Sequence, residues 1–449
     1  MTEKIRLFER IESGRTAVRA GRIPGLRERR KTLKRLLILL VSHREAAYSV
    51  LADDLGRSRQ AAIWSEMLPL IQTLKYLIRK LPSLASPRRL PVNWVNFPAR
   101  EKIFPEPLGH VLIAASWDFP ILLALEPVIG AYAAGNRVVV KLSGRAEKSV
   151  QFVRWLIEET FVGDEVVSVD NEASLEELLA YGFDFVHYAG DESGARDLHT
   201  RMAGTLTPVS LRTGGKSPAI VDCRSRVRYA AERIVQAKFF NAGQSRIAPD
   251  FVFVHERIAA RFKQHASAFV RKTYGREPLE NPEYGKIIDA AHYERLSKLF
   301  SAGRLVCGGE KDPEHLKIAP TIVDMISEEE LLKSGEICGP VLPVVTYLSE
   351  EDLVKKLKRF SCPPALYCFS GDAALVRHLI RCIPAGNVVI NDAGMQFFNH
   401  RMPARKVFAA FSHYKTVMTQ VPLFIPPWRK LPLRGIWNTL LECLVKWSV

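Results

Sequence analysis

Apolar residues recur at helical spacing through residues 4–82, with Leu33, Leu36, Leu37, Leu40 and Val41 in one stretch and Leu68, Ile71, Leu74 and Ile78 in another. Spacing of three and four predicts amphipathic helices whose apolar face packs in a core. Leu81-Pro82-Ser83 predicts the end of this helical block. Between residues 88 and 108 the pattern becomes alternating. Pro91-Val92-Asn93-Trp94-Val95-Asn96-Phe97 and Lys102-Ile103-Phe104 read as strands with prolines on both sides. Residues 109–115 read as a buried strand, and Ser116-Trp117-Asp118-Phe119-Pro120 reads as a turn. Pro120 suits the first position of a helix, where its missing N–H costs nothing. That helix is predicted to reach Ala134, stop at Gly135-Asn136, and give way to a strand at residues 137–141.

The alternation continues. An amphipathic helix from residue 148 precedes a strand at 165–169, and a strand at 183–188 leads through Gly190 into another helix. Val209-Ser210-Leu211 and Ala219-Ile220-Val221 flank Gly214-Gly215-Lys216-Ser217-Pro218. Strands separated by helices in this way imply a doubly wound α/β fold with a parallel sheet. A second α/β unit starts with a helix at 227–240 and a strand at 251–255. It continues with helices near 256–273, 291–302 and 349–359 and strands near 318–323, 341–347, 365–370 and 387–392. No internal repeat or low-complexity segment interrupts it.

A chain of 449 residues fits two or three domains. Its 47% apolar and 25% charged residues are ordinary for a globular protein, but its net charge of +16 is not. Much of that charge lies in the first hundred residues, as in Arg27-Glu28-Arg29-Arg30-Lys31 and Lys34-Arg35. It favours anionic partners or solvated helix faces; nucleic acid would require one contiguous basic face. The seven cysteines show no CxxC pairing or Cys/His spacing, which argues against zinc and disulfides and for a reducing, cytoplasmic setting. The first residues lack the apolar core of a signal peptide, and residues 36–41 fall far short of the ~20 apolar residues of a membrane span.

The chemistry concentrates in Phe239-Phe240-Asn241-Ala242-Gly243-Gln244-Ser245-Arg246-Ile247-Ala248-Pro249-Asp250. Asn241 and Gly243 make a helix stop, and Pro249 delays the next strand. This stretch resembles the nucleophile loop of the aldehyde dehydrogenase superfamily, nearest its class 3 branch, whose pattern is Asn-x-Gly-Gln-x-Cys-x-Ala-Pro. The resemblance covers residues 5–425 and rests on further matches in order. These are Pro107-Leu108-Gly109, Trp117-x-Phe119-Pro120, Ala134-Gly135-Asn136 with Lys141, Phe183-Asp184 with Gly190, Gly214-Gly215-Lys216-Ser217-Pro218, and Glu336-Ile337-Cys338-Gly339-Pro340. It implies a nucleotide-binding domain from residues 1–82 and 107–211, a catalytic-type domain at 212–392, a bridging and oligomerisation arm from 83–106 and 393–424, and a tail at 425–449.

The departures from the family pattern sit at the chemistry. Arg246 stands where the nucleophilic cysteine would be, and a guanidinium is not a nucleophile. Arg212 replaces the glutamate that serves as base. Asp118 replaces the asparagine whose amide holds the oxyanion; alternatively it supports the start of the next helix. Two cations and one anion where a thiol, an acid and an amide would stand suggest a polar plug in which Asp118 pairs with Arg246 or Arg212. The paired arginines alternatively suggest a site for an anionic small molecule.

On the cofactor side, the resemblance implies NAD or NADP at a weakened site, and no metal. Trp117, Lys141, Gly190, Gly214 and Glu336 match cofactor-binding positions, Lys141 at the adenosine ribose and Glu336 at the nicotinamide ribose. Gly144 stands in place of a second ribose-binding carboxylate, Glu192 in place of a hydroxyl, Ala195 in place of a glycine, and Cys338 in place of a phenylalanine. Cys338 is the one candidate for a relocated thiol. The segment from Asp392 to Phe411 is shorter than the family's glycine-rich loop and lacks its glycines, while Phe411-Ser412-His413 matches the following strand. The tail, with Ile436, Trp437, Leu440, Leu441, Leu444, Val445 and Trp447 among basic residues, is amphipathic. It suits a membrane surface, the protein's own body or a dimer partner. The resulting expectation is a degenerate family member acting as a binding or scaffolding subunit, alone as a homodimer or with an intact homologue. The alternative is an NAD(P)-dependent oxidoreductase of aldehydes with altered chemistry.

Overall fold

A computed structural model of the chain describes residues 2–92, 96–299, 303–360, 362–394, 401–420 and 436–447. The middle of the expected first arm strand, at 93–95, and the Pro-Pro-Trp run near 427 lie outside them.

The chain opens with helices Thr2–Arg19, Leu26–Ser42, Arg44–Leu55 and Arg59–Ala62, a π-helical turn Ile63–Met67, and helix Leu68–Leu84. Of the apolar stripes read from the sequence, Leu33, Leu36, Leu40 and Leu74 lie in one core, which Leu70, Leu77 and Leu81 complete; Leu37, Ile71 and Ile78 pack at its edge, Leu68 is half-buried, and Val41 is exposed. The last helix runs through Pro82 to Leu84, two residues beyond the expected stop.

Strand β1 is Arg88–Leu90 and β2 is Arg100–Pro107. Strand β1 thus ends before Pro91, and the described residues 91, 92, 96 and 97 of the expected strand are not in one. Proline has no N–H to give to a ladder, so the pairing with β2 stops there. The nucleotide-type sheet follows, with β3 (His110–Ala114), β4 (Arg137–Lys141), β5 (Val166–Val169), β6 (Phe185–Gly190) and β7 (Val209–Thr213) in parallel order β5-β4-β3-β6-β7. The sequence builds to one side of β3 and then the other, so the topological switch falls at the C-terminal end of β3. Helix Pro120–Ala134 leaves from there and ends at Gly135, whose φ of 102° closes the last turn.

The second sheet takes β8 (Pro218–Val221), β9 (Phe251–His255), β10 (Arg304–Cys307), β13 (Thr321–Asp324), β14 (Val341–Tyr347), β15 (Leu366–Phe369) and β16 (Val388–Ile390). Their order is β10-β13-β14-β9-β8-β15-β16, parallel except for β10 against β13. A small hairpin, β11 (Lys311–Asp312) with β12 (Lys317–Ile318), sits between. Strand β17 (Ser412–Thr419) pairs antiparallel with the whole of β2, completing a three-stranded arm. Just before it, helix Arg401–Ala410 packs Ala404, Val407 and Phe408 under the first domain. Val407 and Phe408 join its core. Helix Ile436–Trp447 carries exposed Ile436, Leu440 and Val445. No described helix is long and apolar enough to cross a membrane.

Candidate active site

The C-terminal ends of β3, β4 and β6 face the segments that precede β8, β9 and β14 across a cleft of about 940 Å³. Its wall brings together Trp117, Asp118, Lys141, Gly144, Gly190, Glu192, Gly214, Arg246, Glu336 and Cys338, which the sequence places more than two hundred residues apart. Arg212 is not among them.

The loop carrying Arg246 is fixed by its backbone. Helix Val227–Phe239 ends in a turn where Asn241, Ala242 and Gly243 have φ of 54°, 49° and 74°. At Gly243 a β-carbon would lie 2.2 Å from the Gly339 carbonyl oxygen, so only glycine fits. Gln244 is fully buried and ties the loop to residues 286–288. It donates to the Lys286 carbonyl at 2.8 Å and accepts from the Ile288 N–H at 2.9 Å.

Arg246 is turned into the protein. Its Nη2 lies 3.1 Å from Asp118 Oδ1 and also donates to Ser116 Oγ, and its Nη1 donates to the Arg212 carbonyl at 2.8 Å. The two side chains are 15% and 3% exposed. Asp118 thus pairs with Arg246. The Arg212 side chain points elsewhere, 46% exposed, and bonds Glu126 Oε2 at 3.3 Å from helix Pro120–Ala134. The two guanidinium groups do not converge on one anion.

A second, fully buried ion pair sits behind this one. Arg57 bonds Glu66 and donates to Asn241 Oδ1 at 3.1 Å and to the Asp118 carbonyl at 2.8 Å. Glu66 accepts the N–H groups of Ile121 and Leu122, each at 2.8 Å, capping helix Pro120–Ala134 from another helix. Burial raises the Glu66 carboxyl and lowers the Arg57 guanidinium, each opposed by the partner's charge. Sequence reasoning missed this pair. Within Arg57-Ser58-Arg59 it looks like surface charge.

Glu336 is the one strongly perturbed carboxyl on the cleft wall. Burial pushes it up to about 8; Asp250 and Asp118 add to the rise and Arg246 opposes it. Its Oε1 is buried without a hydrogen-bond partner, and its Oε2 occupies the space a β-carbon on Gly214 would need, at 1.7 Å. Cys338 next to it is half-buried on the cleft wall, and desolvation drives its thiol well above the usual range, so a thiolate is disfavoured there. Its carbonyl accepts from His292 Nε2 at 2.8 Å, and His292 stands edge-on to Trp117 with ring centres 5.5 Å apart. Arg145, also unforeseen, lies over Trp117 at 4.4 Å.

The far end of the cleft is internally occupied. Lys141 Nζ bonds the Asp170 carbonyl and reaches the Leu142 carbonyl at 3.4 Å; burial lowers its pKa. Helix Glu192–Ala203, whose start would face phosphates, is capped by Asp191, which accepts from Gly194 N–H at 2.7 Å. Glu192 pairs with Arg196, so its charge runs along the helix. Ala195 is buried. Among the described residues no group of three His, Cys, Asp or Glu side chains is placed to hold a metal ion.

A sheet switch point, a cleft at converging strand ends and a fixed loop at its centre define the class to which the comparisons assign the chain. The model of the aldehyde dehydrogenase family matches residues 9–404, and the chain belongs to that family. Aldehyde dehydrogenase family 3 member H1 of Arabidopsis thaliana is 33% identical over 86% of this chain and 84% of its own length. The 4,4'-diaponeurosporen-aldehyde dehydrogenase of Staphylococcus aureus is 30% identical over 89% of this chain and 92% of its own. The solved substrate-bound state of Staphylococcus aureus AldH superposes with a TM-score of 0.92, 28% identity, and coverage of 97% of this chain and 99% of that one. The expected fold is thus the observed one.

Proposed function

We propose that this chain is an NAD(P)-binding protein of the aldehyde dehydrogenase family that does not oxidise aldehydes through a thiohemiacetal. The observation that carries this reading is Arg246, locked to Asp118, Ser116 and the Arg212 carbonyl at the centre of the loop. The groups that thiol chemistry needs are a thiolate, an oxyanion donor and a base. None of the three side chains is a thiolate; Arg246 spends its terminal nitrogens on protein acceptors, Asp118 is held in the ion pair with it, and Arg212 is turned outward to Glu126. Cys338 is a poor substitute, because desolvation and the neighbouring Glu336 and Asp118 carboxylates raise its thiol and disfavour the thiolate.

The residues fit a dinucleotide best at the nicotinamide-ribose end. The unpartnered Glu336 oxygen is an acceptor waiting for a hydroxyl donor, Gly214 leaves it room, and Trp117 and His292 wall the same end. Bound there, the cofactor would supply hydride acceptance. At the other end Lys141 would have to exchange a backbone carbonyl for a ribose hydroxyl, and Asp191 already occupies the helix start. This supports a weakened site. In this reading the protein serves as a binding or scaffolding subunit, joined through the β1-β2-β17 arm to a second copy or to an intact homologue.

One fact favours a second reading, an NAD(P)-dependent oxidoreductase acting on aldehyde or oxo groups by altered chemistry. Relatives matched over most of their length carry the names of aldehyde dehydrogenases. The names weigh for turnover and the loop residues against it. Calorimetry with NAD and NADP decides the shared part. Binding should be measurable and, at pH 9 where Glu336 is ionised, should weaken roughly ten- to a hundredfold in Glu336→Ala, the scale for losing hydrogen bonds to a charged group. Absence of binding to either dinucleotide would overturn both readings.

A further inference from the structure

The first hundred residues hold a concentration of positive charge that the cleft does not use. Helix Leu26–Ser42 carries six basic residues and one acid, Glu28, which is spent on the Gly25 N–H at the helix start. Helix Leu68–Leu84 carries Lys75, Arg79 and Lys80 and no acid. The two helices share a core, and Arg30 Nε donates to the Ile78 carbonyl at 3.0 Å, so the start of one lies beside the end of the other. Arg29 is buried on the Ala133 carbonyl, and Arg35 reaches Glu159 at 3.8 Å. Arg27, Lys31, Lys34, Lys75, Arg79 and Lys80 are exposed, and among the described residues no carboxylate pairs with them.

The same helix face has a second character. Arg27, Lys31, Lys34, Ile38 and Val41 follow each other at steps of four, three, four and three, which is one stripe of an α-helix. Ile38 is 64% exposed and Val41 38%. Stranded aliphatics at the end of a stripe of unpaired cations gain nothing from a phosphate backbone, which rewards donors and stacking rings. They gain from a bilayer interface, where cations meet anionic headgroups and aliphatic side chains enter the acyl boundary.

We propose that the paired helices Leu26–Ser42 and Leu68–Leu84 form a docking face for an anionic lipid bilayer, with Lys31, Lys34 and Arg79 on headgroups and Ile38 and Val41 inserted. The proposal stands apart from the cleft and from what binds there.

The test is flotation of the full chain with vesicles of phosphatidylcholine alone and of phosphatidylcholine with phosphatidylglycerol. The wild type should bind only the anionic vesicles. A triple reversal, Lys31→Glu, Lys34→Glu and Arg79→Glu, should lower the partition on the order of a hundredfold. Ile38→Asp should lower it without changing the charge on the other cations. Leu440→Asp in the C-terminal helix should leave the preference for anionic vesicles in place. Unchanged thermal melting of the variants separates lost docking from lost folding, and a variant that melts early is replaced by the milder Lys31→Gln, Lys34→Gln pair. Equal binding to both vesicle types, or anionic binding untouched by the reversals and lost in Leu440→Asp, would overturn the proposal. So would binding of an oligonucleotide that the reversals abolish while vesicles are ignored.

Discussion

Arg246 directs both terminal nitrogens into the protein, and this makes Asp118 tolerable where it stands. A carboxylate 3% exposed, stripped of its partner, keeps the cost of burial without the compensating charge. Arg246→Met should therefore destabilise the protein by about 2 to 3 kcal/mol, and Asp118→Asn in the same background should restore most of it. Denaturant unfolding of the four members of the cycle checks this; additive effects would mean the pair is decorative. Glu336 gives a second residue-scale prediction. With its carboxyl raised to about 8, the group is mostly protonated at pH 7, and it becomes a two-oxygen acceptor only as pH rises through that value. Dinucleotide affinity should rise between pH 7 and pH 9 and lose that slope in Glu336→Gln. The sign for stability is opposite. A carboxyl raised on folding binds its proton more tightly in the native state, so its contribution declines as pH climbs from the unfolded value of 4.5 toward 8.

At the scale of elements, the loop and the helix beside it are held by groups far from the cleft. Gly243→Ala should cost on the order of 3 kcal/mol, since it adds left-handed strain to a contact with the Gly339 carbonyl. Glu66→Ala should cost about 3 to 5 kcal/mol, because it strands Arg57 in the core and uncaps helix Pro120–Ala134. Thermal melting reads both, and a Glu66→Ala protein as stable as the wild type would contradict the network. The sequence made the loop legible because Asn241 and Gly243 are turn chemistry, and made β9 legible because four apolar residues, Phe251 to Val254, stand between Pro249-Asp250 and a helix. It did not reveal where Arg212 points. Charge complementarity names an acid as partner but not which one, and Glu126 sits inside an otherwise apolar helix, on a different element. Helix Leu175–Tyr181 went unread although Ser174 and Glu177 form a capping box, because seven residues are too few to show a periodicity. Arg57 and Glu66 were illegible for the opposite reason. Nothing in local pattern distinguishes a charge that tertiary structure will bury.

At the scale of the whole molecule, the strand ends of the first sheet and the loops of the second domain enclose a cleft, and side chains from both sides determine what it does. The fold was readable because it rests on glycines, prolines and apolar runs that each act locally. The function was less readable because it depends on which charged groups meet in space, Arg246 with Asp118 across 128 residues and Arg212 with Glu126 across 86. The arm, built from β1, β2 and β17, leaves the edges of a three-stranded sheet available, and sedimentation should show a dimer; a monomer at micromolar concentration would remove the arm from the account. The central claim is that the loop no longer performs thiol chemistry. It is tested most directly by following reduced nicotinamide formation from NAD and NADP with short- and long-chain aldehydes, at enzyme concentrations comparable to cofactor. The account predicts neither a burst nor steady turnover. An aldehyde-dependent burst equal to the protein concentration, abolished by Cys338→Ala or by any other single substitution in the cleft, would contradict it.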